Sequence, residues 1–284
     1  MESSLMVKRI TPAIGAEIDG IDLKVPLNAA TADELKSLLF RHKVLVFRDQ
    51  NITPAQQVAF ARNFGELEVI PFGPKHPDFP ELLVFESGPQ RRATENLFHT
   101  DNSYRERPPS ACLLRCLELP EVGGDTIWVN MALAYEGLPA EVKLQIDGLH
   151  AVHDMMPNFG YRIPKDELQR AREDYPPMVH PLVVTHPITG EKVLYVNTGF
   201  ATHISDYRNK YTTTNGAQYK TAAAHLLLLL QQQAQIPEYQ MRLRWARDTV
   251  VLWDNIGTQH YAISDYYPEV RKVARVTISG GALS

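Results

Sequence analysis

The spacing of apolar and polar residues predicts both helices and strands in this chain. Near the start, "TADELKSLLFRH" has the apolar spacing of a helix, and the β-branched run "KVLVFRD" that follows it predicts a strand. In "TPAQQVAFARNFGEL", Thr53 stands before Pro54 and the pattern closes near Gly65, which is typical of a capped helix with proline at its first position. This part of the chain is therefore expected to alternate helix and strand.

Further along, short apolar runs are separated by proline and glycine. These runs are "LLVFES", "SACLLRCLEL", "DTIWVN", "HPLVVTHP", "KVLYVN", "QMRLRWA", "DTVVLWDN" and "RKVARVTIS". Many short strands with turn residues between them predict an antiparallel sandwich or barrel. Helical insertions are expected around "PKDELQRAREDY" and "GAQYKTAAAHLLLLLQQQ", and no linker or internal repeat is visible. We therefore expect a single, mainly β domain over residues 1–284, wrapped by helices.

The composition narrows the range of partners. Apolar residues make up 44% of the chain and charged residues 22%, as in an ordinary globular protein with a sizeable core. A formal net charge of −4 argues against nucleic acid, because phosphate binding requires a concentrated excess of lysine and arginine. We expect a small-molecule partner instead, with any anion met by a few placed arginines.

The sequence also predicts where the protein works. The first residues, "MESSLMVKRITP", have no basic segment followed by a long apolar core, and the longest aliphatic run, "AAAHLLLLL", is only about half of a membrane span. Cys112 and Cys116 lie in an apolar run, where buried reduced thiols are the simplest expectation. Together these features predict a soluble, cytoplasmic protein with no membrane partner.

The stretch "NLFHTDNSYRERPP" carries the first candidate chemistry. Alternate side chains of a strand share a face, so a strand-like run would point His99 and Asp101 to one place. His260, expected in a loop after the strand that ends at Trp253, is the best candidate for a third ligand. Two imidazoles and one carboxylate with open positions form the facial triad of non-heme Fe(II) oxygenases. The sequence therefore predicts a metal site of His99, Asp101 and His260.

Most histidines in a β protein have structural roles, and this chain has 10. Structural roles are therefore assigned by default to His150, His153, His180, His186 and His203.

A pair of arginines raises the three candidate ligands above that default. Arg271 and Arg275 in "VRKVARVTI" are four residues apart and would share one face of a strand. Inward arginines are costly unless they meet anions, although two surface arginines on an edge strand have the same spacing. If the strand returns past the metal, the pair would hold carboxylates there. Thr126 of "GGDTIW" offers a hydroxyl for the same task, unless that segment is a plain glycine turn.

Together these segments resemble the TauD/TfdA family of Fe(II)- and 2-oxoglutarate-dependent dioxygenases, and its taurine dioxygenase branch, over nearly the full chain. The matching segments are "GAEIDGIDL", "KVLVFRDQNITPAQQ", "FHTD", "GGDTIW", "HPLVVTHPITG", "LYVNTGF", "LRW", "LWDNIGTQHYAISDY" and "RVTI". The resemblance implies a double-stranded β-helix, or jelly roll, with helical insertions. It also implies Fe(II) on His99, Asp101 and His260, with 2-oxoglutarate and O2 as co-substrates and succinate and CO2 as products.

The resemblance assigns further roles around the metal. Arg271, helped by Thr126, would pair with the distal carboxylate of 2-oxoglutarate, and Arg275 falls where taurine enzymes use an arginine for the sulfonate. Phe159 and Phe200 match aromatic positions that line the family pocket, although core packing explains them equally well. The remaining candidate substrate residues are Glu95, Ile70, Asn102 and Asn158. Family likeness also predicts a homo-oligomer, either a dimer or a tetramer.

Three positions depart from the taurine pattern. Ile70 and Gly73 stand where taurine enzymes use a histidine and a tyrosine, and Glu95 replaces an asparagine. Loss of an imidazole and a phenol leaves a more apolar, roomier pocket, while Glu95 would face either an ammonium group or solvent. We therefore expect hydroxylation of another small organic anion, namely a sulfonate, a sulfate ester or a carboxylate. Taurine dioxygenase proper, which releases sulfite and aminoacetaldehyde, is the alternative.

Two alternatives come from other functional classes. A zinc hydrolase would use the same three ligands but would leave Arg271 and Thr126 without a partner. A non-catalytic binding module on the same barrel is expected to lack a ligand, and here all three are present.

Overall fold

The computed structural model describes residues 5–70, 73–207 and 216–283, and strands dominate that part of the chain. The strands are β1 (Met6–Arg9), β2 (Ala16–Asp19), β3 (Val44–Phe47), β4 (Leu82–Ser87), β5 (Ala111–Glu118), β6 (Thr126–Asn130), β7 (His150–His153), β8 (Met178–Pro181), β9 (Val183–Thr185), β10 (Lys192–Leu194), β11 (Ala201–Ile204), β12 (Gln240–Leu243), β13 (Val250–Asp254), β14 (Thr258–Ala262) and β15 (Arg271–Ile278). The α-helices are α1 (Ala29–His42), α2 (Pro54–Ala61), α3 (Met131–Glu136), α4 (Ala140–Ile146), α5 (Met156–Phe159), α6 (Leu168–Asp174) and α7 (Gly216–Gln232).

The sheet with the most strands in the described part of the chain has seven. Its strand order is β1-β2-β3-β13-β5-β15-β4, so strands from the start, middle and end of the chain lie side by side. A second sheet of three strands has the order β12-β6-β14. The other sheets have the orders β11-β7-β8 and β10-β9. The two strands that concern the site most, β14 and β15, therefore lie in different sheets.

Strict alternation along the central strands places a different core on each face of the large sheet. In β3, Val44 and Val46 pack with Trp128 of β6, and this apolar cluster joins the large sheet to the three-stranded one. Leu45 and Phe47 point the other way, into the cluster that α1 and α2 cover. All five residues of β13 are buried, as expected for a strand with sheet neighbours on both sides and cover on both faces.

Helices cover the outer side of the smaller sheets. A third apolar cluster combines Met131 and Ala134 of α3 with Leu230 of α7 and Val193 of β10. Among the described helices, none has the combination of length and apolar character that crossing a membrane requires.

Most of the elements expected from the sequence are present. The mainly β architecture with helices is confirmed, as are the helices at α1, α2, α6 and α7 and the strand runs at β3, β4, β5, β6, β12, β13 and β15. Thr53 caps α2, with Pro54 in its first turn. Cys112 and Cys116 are buried free thiols.

Other expectations were wrong, each for a physical reason. His260 lies in β14 rather than in a loop, because Thr258–Ala262 pairs residue by residue with β6 despite its polar composition. The run at His99 makes one isolated bridge, and Asp101 begins a turn, so no full strand forms there. The sheet is not wholly antiparallel, since β2 pairs with β3 in parallel.

Some elements gave no recognisable pattern in the sequence. Strands β1, β2, β7 and β11 have four residues each and fall outside the longer apolar runs, so no strand was expected there. The run "HPLVVTHP" divides into β8 and β9, which belong to different sheets. Helices α3, α4 and α5 span one or two turns and were likewise not expected.

The cap of α2 provides a test of local stability. The Thr53 hydroxyl accepts from the Gln56 backbone N–H, and the Gln56 side chain accepts from the Thr53 backbone N–H. Thr53→Ala should lower the free energy of unfolding by about 1 kcal/mol, because one orphan N–H loses its acceptor. Urea denaturation measures the change. Thr53→Ser keeps the hydroxyl and should stay close to the parent, whereas equal losses in both variants would assign the effect to the methyl group.

Candidate functional site

The centre of the site is a backbone bridge between two distant segments. The His99 N–H donates to the His260 carbonyl at 3.0 Å, and the His260 N–H donates to the His99 carbonyl at 2.8 Å. The bridge brings the two imidazole centroids within 4.1 Å. On its other side β14 pairs with β6, where His260 stands opposite Trp128. The two histidines are therefore fixed by main-chain bonds rather than by their own side chains.

Asp101 joins the histidines through a turn that Asn255 holds in place. The Asn255 side-chain oxygen accepts from the Asp101 N–H at 3.0 Å, and its amide nitrogen donates to the carbonyls of Asp101 and Pro109, each at 3.0 Å. Asn255 lies between β13 and β14, the strand that carries His260. One amide therefore ties the carboxylate ligand to the start of the segment that supplies the second imidazole.

The donor set fits a divalent cation. The potential ligand atoms of His99, Asp101 and His260 all lie within 4.8 Å of one another, and all three residues are buried. His99 Nδ1 lies 2.7 Å from the Leu97 carbonyl, and since a carbonyl only accepts, this nitrogen carries the proton and Nε2 keeps its lone pair. Asp101 Oδ2 is buried and has no hydrogen-bond donor among the described residues. A cation would satisfy the buried oxygen and the free lone pair together.

Electrostatics keep the site ready for a cation at neutral pH. Burial raises the pKa of Asp101, but the charges of Arg275, His260 and His99 outweigh it and lower the pKa to about 2. Burial, reinforced by the neighbouring His99, lowers the pKa of His260 to about 3. An ionised carboxylate and a neutral imidazole are the forms that bind a metal ion.

The two arginines of β15 have different partners, and Arg271 is buried whereas Arg275 is half-buried. Arg275 Nη1 donates to Asp101 Oδ1 at 2.8 Å, and its guanidinium lies 5.1 Å from the Phe85 ring centroid. Arg271 is only 8% exposed, yet its Nε and Nη2 have no acceptor among the described residues. Its guanidinium lies 5.5 Å from the Trp245 ring. The shared face that the sequence predicted is an inward one, which excludes the surface-pair alternative.

Thr126 and a glycine turn complete the surroundings of Arg271. The Trp245 indole N–H donates to Thr126 Oγ1 at 2.9 Å, so Thr126 and Arg271 both contact the same tryptophan. Gly124 has a φ of +71°, and a Cβ there would lie 3.1 Å from Arg271 Cδ. The segment "GGDTIW" is thus a glycine turn that leaves room for the arginine and also leads into β6.

Ile70, Gly73 and Asn102, three positions that bear on substrate binding, have different surroundings. Ile70 is buried, and Gly73 has a φ of +115° beside Leu83. Asn102 follows Asp101 in a left-handed conformation, with a φ of +52°. Its amide nitrogen is buried without an acceptor among the described residues, so it is available to a bound molecule.

Aromatic residues form a wall beside His99. Phe200 lies 6.4 Å from the His99 ring in an edge arrangement, and Phe159 stacks on Phe200 at 4.9 Å. Asn158 donates to the carbonyls of Thr198 and Gly199, so its amide nitrogen fixes the turn before Phe200. We call Phe159 and Phe200 the aromatic wall.

Glu95 has a partner that neither sequence interpretation foresaw. Its Oε1 lies 2.9 Å from Arg162 Nη1, and Glu95 is only partly exposed. Burial raises the pKa of Glu95, but Arg162 and nearby backbone N–H groups bring it below its ordinary value. The carboxylate therefore faces an arginine of the protein rather than solvent.

The histidines with expected structural roles make hydrogen bonds within the fold. His150 pairs with Asp206, His153 with Ser103, His180 with the Arg105 carbonyl, His186 with Asp254 and His203 with Thr202.

Sequence reasoning gave no role to Asn255, Trp245 or Arg162. The first two lie in "LWDN" and "LRW", segments that matched the family pattern, so those segments held the only available signal. No sequence pattern indicated a role for Arg162, because its partner Glu95 is far from it along the chain.

Comparison with known proteins gives one consistent result. The family model described as "Taurine catabolism dioxygenase TauD, TfdA family" matches residues 6–277. The chain is 34% identical over 289 residues to the "Alkylsulfatase" of Acinetobacter baylyi, covering 97% of this chain and 85% of that protein. It is 35% identical over 284 residues to the "Alpha-ketoglutarate-dependent sulfate ester dioxygenase" of Pseudomonas putida, with 97% and 90% covered. A solved taurine dioxygenase from Burkholderia xenovorans superposes with a TM-score of 0.81 at 33% identity, covering 99% of this chain and 91% of that one.

His153, which is fully buried and hydrogen-bonded to Ser103, gives a pH-dependent prediction. Burial lowers its pKa to about 3, so it stays neutral in the folded protein while the unfolded chain takes up a proton below pH 6.5. The unfolded state then binds more protons, and stability falls as the pH drops through 6.5. At pH 5 this histidine should cost about 2 kcal/mol relative to pH 7.5.

Urea unfolding of the metal-free protein at both pH values measures this cost. His153→Gln should reduce the pH dependence by that amount. An unchanged pH dependence in His153→Gln would contradict the assignment.

Proposed function

Because the chain belongs to the TauD/TfdA family of dioxygenases, we propose that it is an Fe(II)- and 2-oxoglutarate-dependent enzyme that hydroxylates small organic anions, with alkyl sulfate esters first among them. Its dependence on 2-oxoglutarate and dioxygen is that of the family. The metal, the residue roles and the choice of substrate are the parts that we propose.

The observation that carries the proposal is a buried arginine without an anion. Arg271 is almost fully buried, yet two of its guanidinium nitrogens have no acceptor among the residues that the structure describes. A buried cation without a counter-charge is costly, so its surroundings are suited to an anion that arrives from outside. The distal carboxylate of 2-oxoglutarate supplies that charge. A zinc hydrolase would have no such use for this arginine.

The chain's own groups have distinct tasks in the reaction. His99, Asp101 and His260 would hold Fe(II), and Arg271, steadied by Trp245 and Thr126, orients the 2-oxoglutarate. The chemistry that Fe(II) supplies when bound is dioxygen activation, with 2-oxoglutarate converted to succinate and CO2 and one oxygen atom placed on the substrate.

Arg275 and the aromatic wall would bind the primary substrate. Arg275 lies against Asp101, and its Nε has no acceptor among the described residues, so it has a donor to offer an anionic head group near the metal. Asn102 follows Asp101 in the chain, and its amide nitrogen likewise has no acceptor in the part of the chain that the structure describes. Phe159 and Phe200 would pack against an apolar substrate body.

Sulfate esters fit the departures from the taurine pattern. The relatives from Acinetobacter baylyi and Pseudomonas putida bear names of enzymes that act on sulfate esters. Ile70 and Gly73 offer no side-chain hydrogen bond to a sulfonate, which favours a longer apolar substrate over taurine. Hydroxylation of the carbon that bears the ester oxygen gives an unstable product, which breaks into an aldehyde and inorganic sulfate. Taurine dioxygenase proper stays the alternative, supported by the solved relative and by Arg275.

We also propose that the whole chain forms one domain with a double-stranded β-helix. A double-stranded β-helix is supported by the apolar cluster that the large sheet and the β12-β6-β14 sheet share. A single dioxygenase domain over residues 1–284 is supported by a sheet that combines strands from the start, middle and end of the chain. A homo-oligomeric state and a cytoplasmic location stay predictions.

Anaerobic titration of the Fe(II)-loaded protein with 2-oxoglutarate tests the function. A visible charge-transfer band should appear, and a true substrate should perturb it. Hexyl sulfate should do so and should stimulate succinate formation in air, whereas taurine should have a smaller effect. Zinc-dependent sulfate release without 2-oxoglutarate would instead support a hydrolase.

Arg271→Ala tests the carboxylate assignment. Loss of a charged hydrogen-bond donor should weaken 2-oxoglutarate binding about tenfold to hundredfold, with Fe(II) uptake nearly unchanged. The anaerobic titration gives the first quantity, and metal analysis after gel filtration gives the second. Arg247→Ala, at an exposed arginine, should alter neither. Equal loss of metal and 2-oxoglutarate binding would mean that Arg271 supports the metal site instead.

A further inference from the structure

Arg162 lies next to the site and carries a buried nitrogen without a partner. It ends the short helical segment after α5, where its Nη1 donates to Glu95 at 2.9 Å and its Nε donates to the Tyr161 hydroxyl at 3.2 Å. Its Nη2 is buried and has no acceptor among the described residues. Because a buried charged donor is costly when unpaired, this nitrogen indicates a place where an acceptor binds.

Two sets of contacts connect this guanidinium to the metal site. It lies 4.9 Å from the centroid of Phe159, which stacks on Phe200, the residue that meets the His99 ring. Glu95, its ion-pair partner, is four residues before His99, and its backbone carbonyl accepts from the Ala262 N–H of β14. Arg162 therefore lies at the far end of the aromatic wall, and the metal triad lies at the near end.

We propose that Arg162 is a specificity-determining residue that binds a second acidic group, a carboxylate, at the distal end of the primary substrate. This inference rests on the proposed function, since it assigns the far end of a substrate whose anionic head is bound by Arg275. Glu95 engages one guanidinium nitrogen and fixes its orientation, and the buried Nη2 donates to the substrate carboxylate.

The arrangement defines a substrate shape. Guanidinium nitrogens without acceptors among the described residues stand at the two ends of the aromatic wall, on Arg275 and on Arg162. They fit a molecule with a sulfate at one end, an acidic group at the other and an apolar stretch between them. A plain alkyl sulfate would leave Nη2 unpaired, and that costs affinity. The enzyme should therefore prefer a carboxylated sulfate ester to an alkyl sulfate of the same length.

A purely structural role for the Glu95–Arg162 pair is the competing explanation. The pair would then serve only to tie the segment after α5 to the chain before His99. Its loss would loosen the aromatic wall and harm every substrate alike. A comparison of two substrates separates the two roles, because only a binding role changes their ratio.

The experiment uses the Fe(II)-loaded enzyme with saturating 2-oxoglutarate and measures succinate formation. The two substrates are hexyl sulfate and its analogue with a terminal carboxylate. The native protein should have the higher kcat/KM with the carboxylated ester. Arg162→Met should reduce that preference about tenfold to hundredfold, mainly through KM, and Arg162→Lys should retain part of it. Arg62→Met removes a surface arginine that pairs with Glu81 and should leave the preference unchanged.

The other outcomes contradict either this inference alone or the proposed function as well. Equal loss of kcat/KM for both esters in Arg162→Met would make the pair structural and end the inference while leaving the proposed function in place. Absence of a preference in the native protein would do the same. If neither ester stimulates succinate formation, the proposed sulfate ester function is wrong, and the inference fails with it.

Discussion

The candidate site depends on one pair of backbone hydrogen bonds, those that His99 and His260 exchange. They join two segments that are far apart in the chain and set the distance between the imidazoles before any ion is present. β14 also pairs with β6, which fixes the position of this bridge. Asn255 accepts a hydrogen bond from the Asp101 N–H and so holds the turn that carries Asp101. Because main-chain bonds do the positioning, the ligand side chains keep their lone pairs for a cation. That is the condition for preorganised metal binding.

The second requirement is charge balance in a buried place. Asp101 is the anion of the triad, and Arg275 compensates it, while Nε and Nη2 of Arg271 have no acceptor within residues 5–70, 73–207 and 216–283. The sheet supports this unusual pair because β15 is bonded on both sides, to β5 and β4, over most of its length. A strand paired along both edges holds the two arginines in fixed positions. The buried charge of Arg271 is thus a cost that the folded protein carries.

The sequence predicted local and periodic features well and long-range ones poorly. Thr53 and its helix were readable because capping acts between near neighbours, and the His99, Asp101 and His260 set followed from residue type and a family pattern. The strand around His260 was not readable, because its pairing with β6 overrides a composition typical of loops. The partner of Glu95 was hidden for the same reason, since Arg162 reaches it only through the tertiary fold.

The strand order has a consequence for how the chain is made. β5 lies between β13 and β15 in the large sheet, and both of these strands are synthesised long after it. A nascent chain that has not yet reached Val250 leaves both edges of β5 open, with its apolar residues uncovered by their final neighbours. Such late closure implies slow, contact-order-limited folding and a period of aggregation risk on the ribosome. The proposed metal ligands His99, Asp101 and His260 could come together only once β14 had been synthesised, so metal binding there would have to follow the synthesis of this strand.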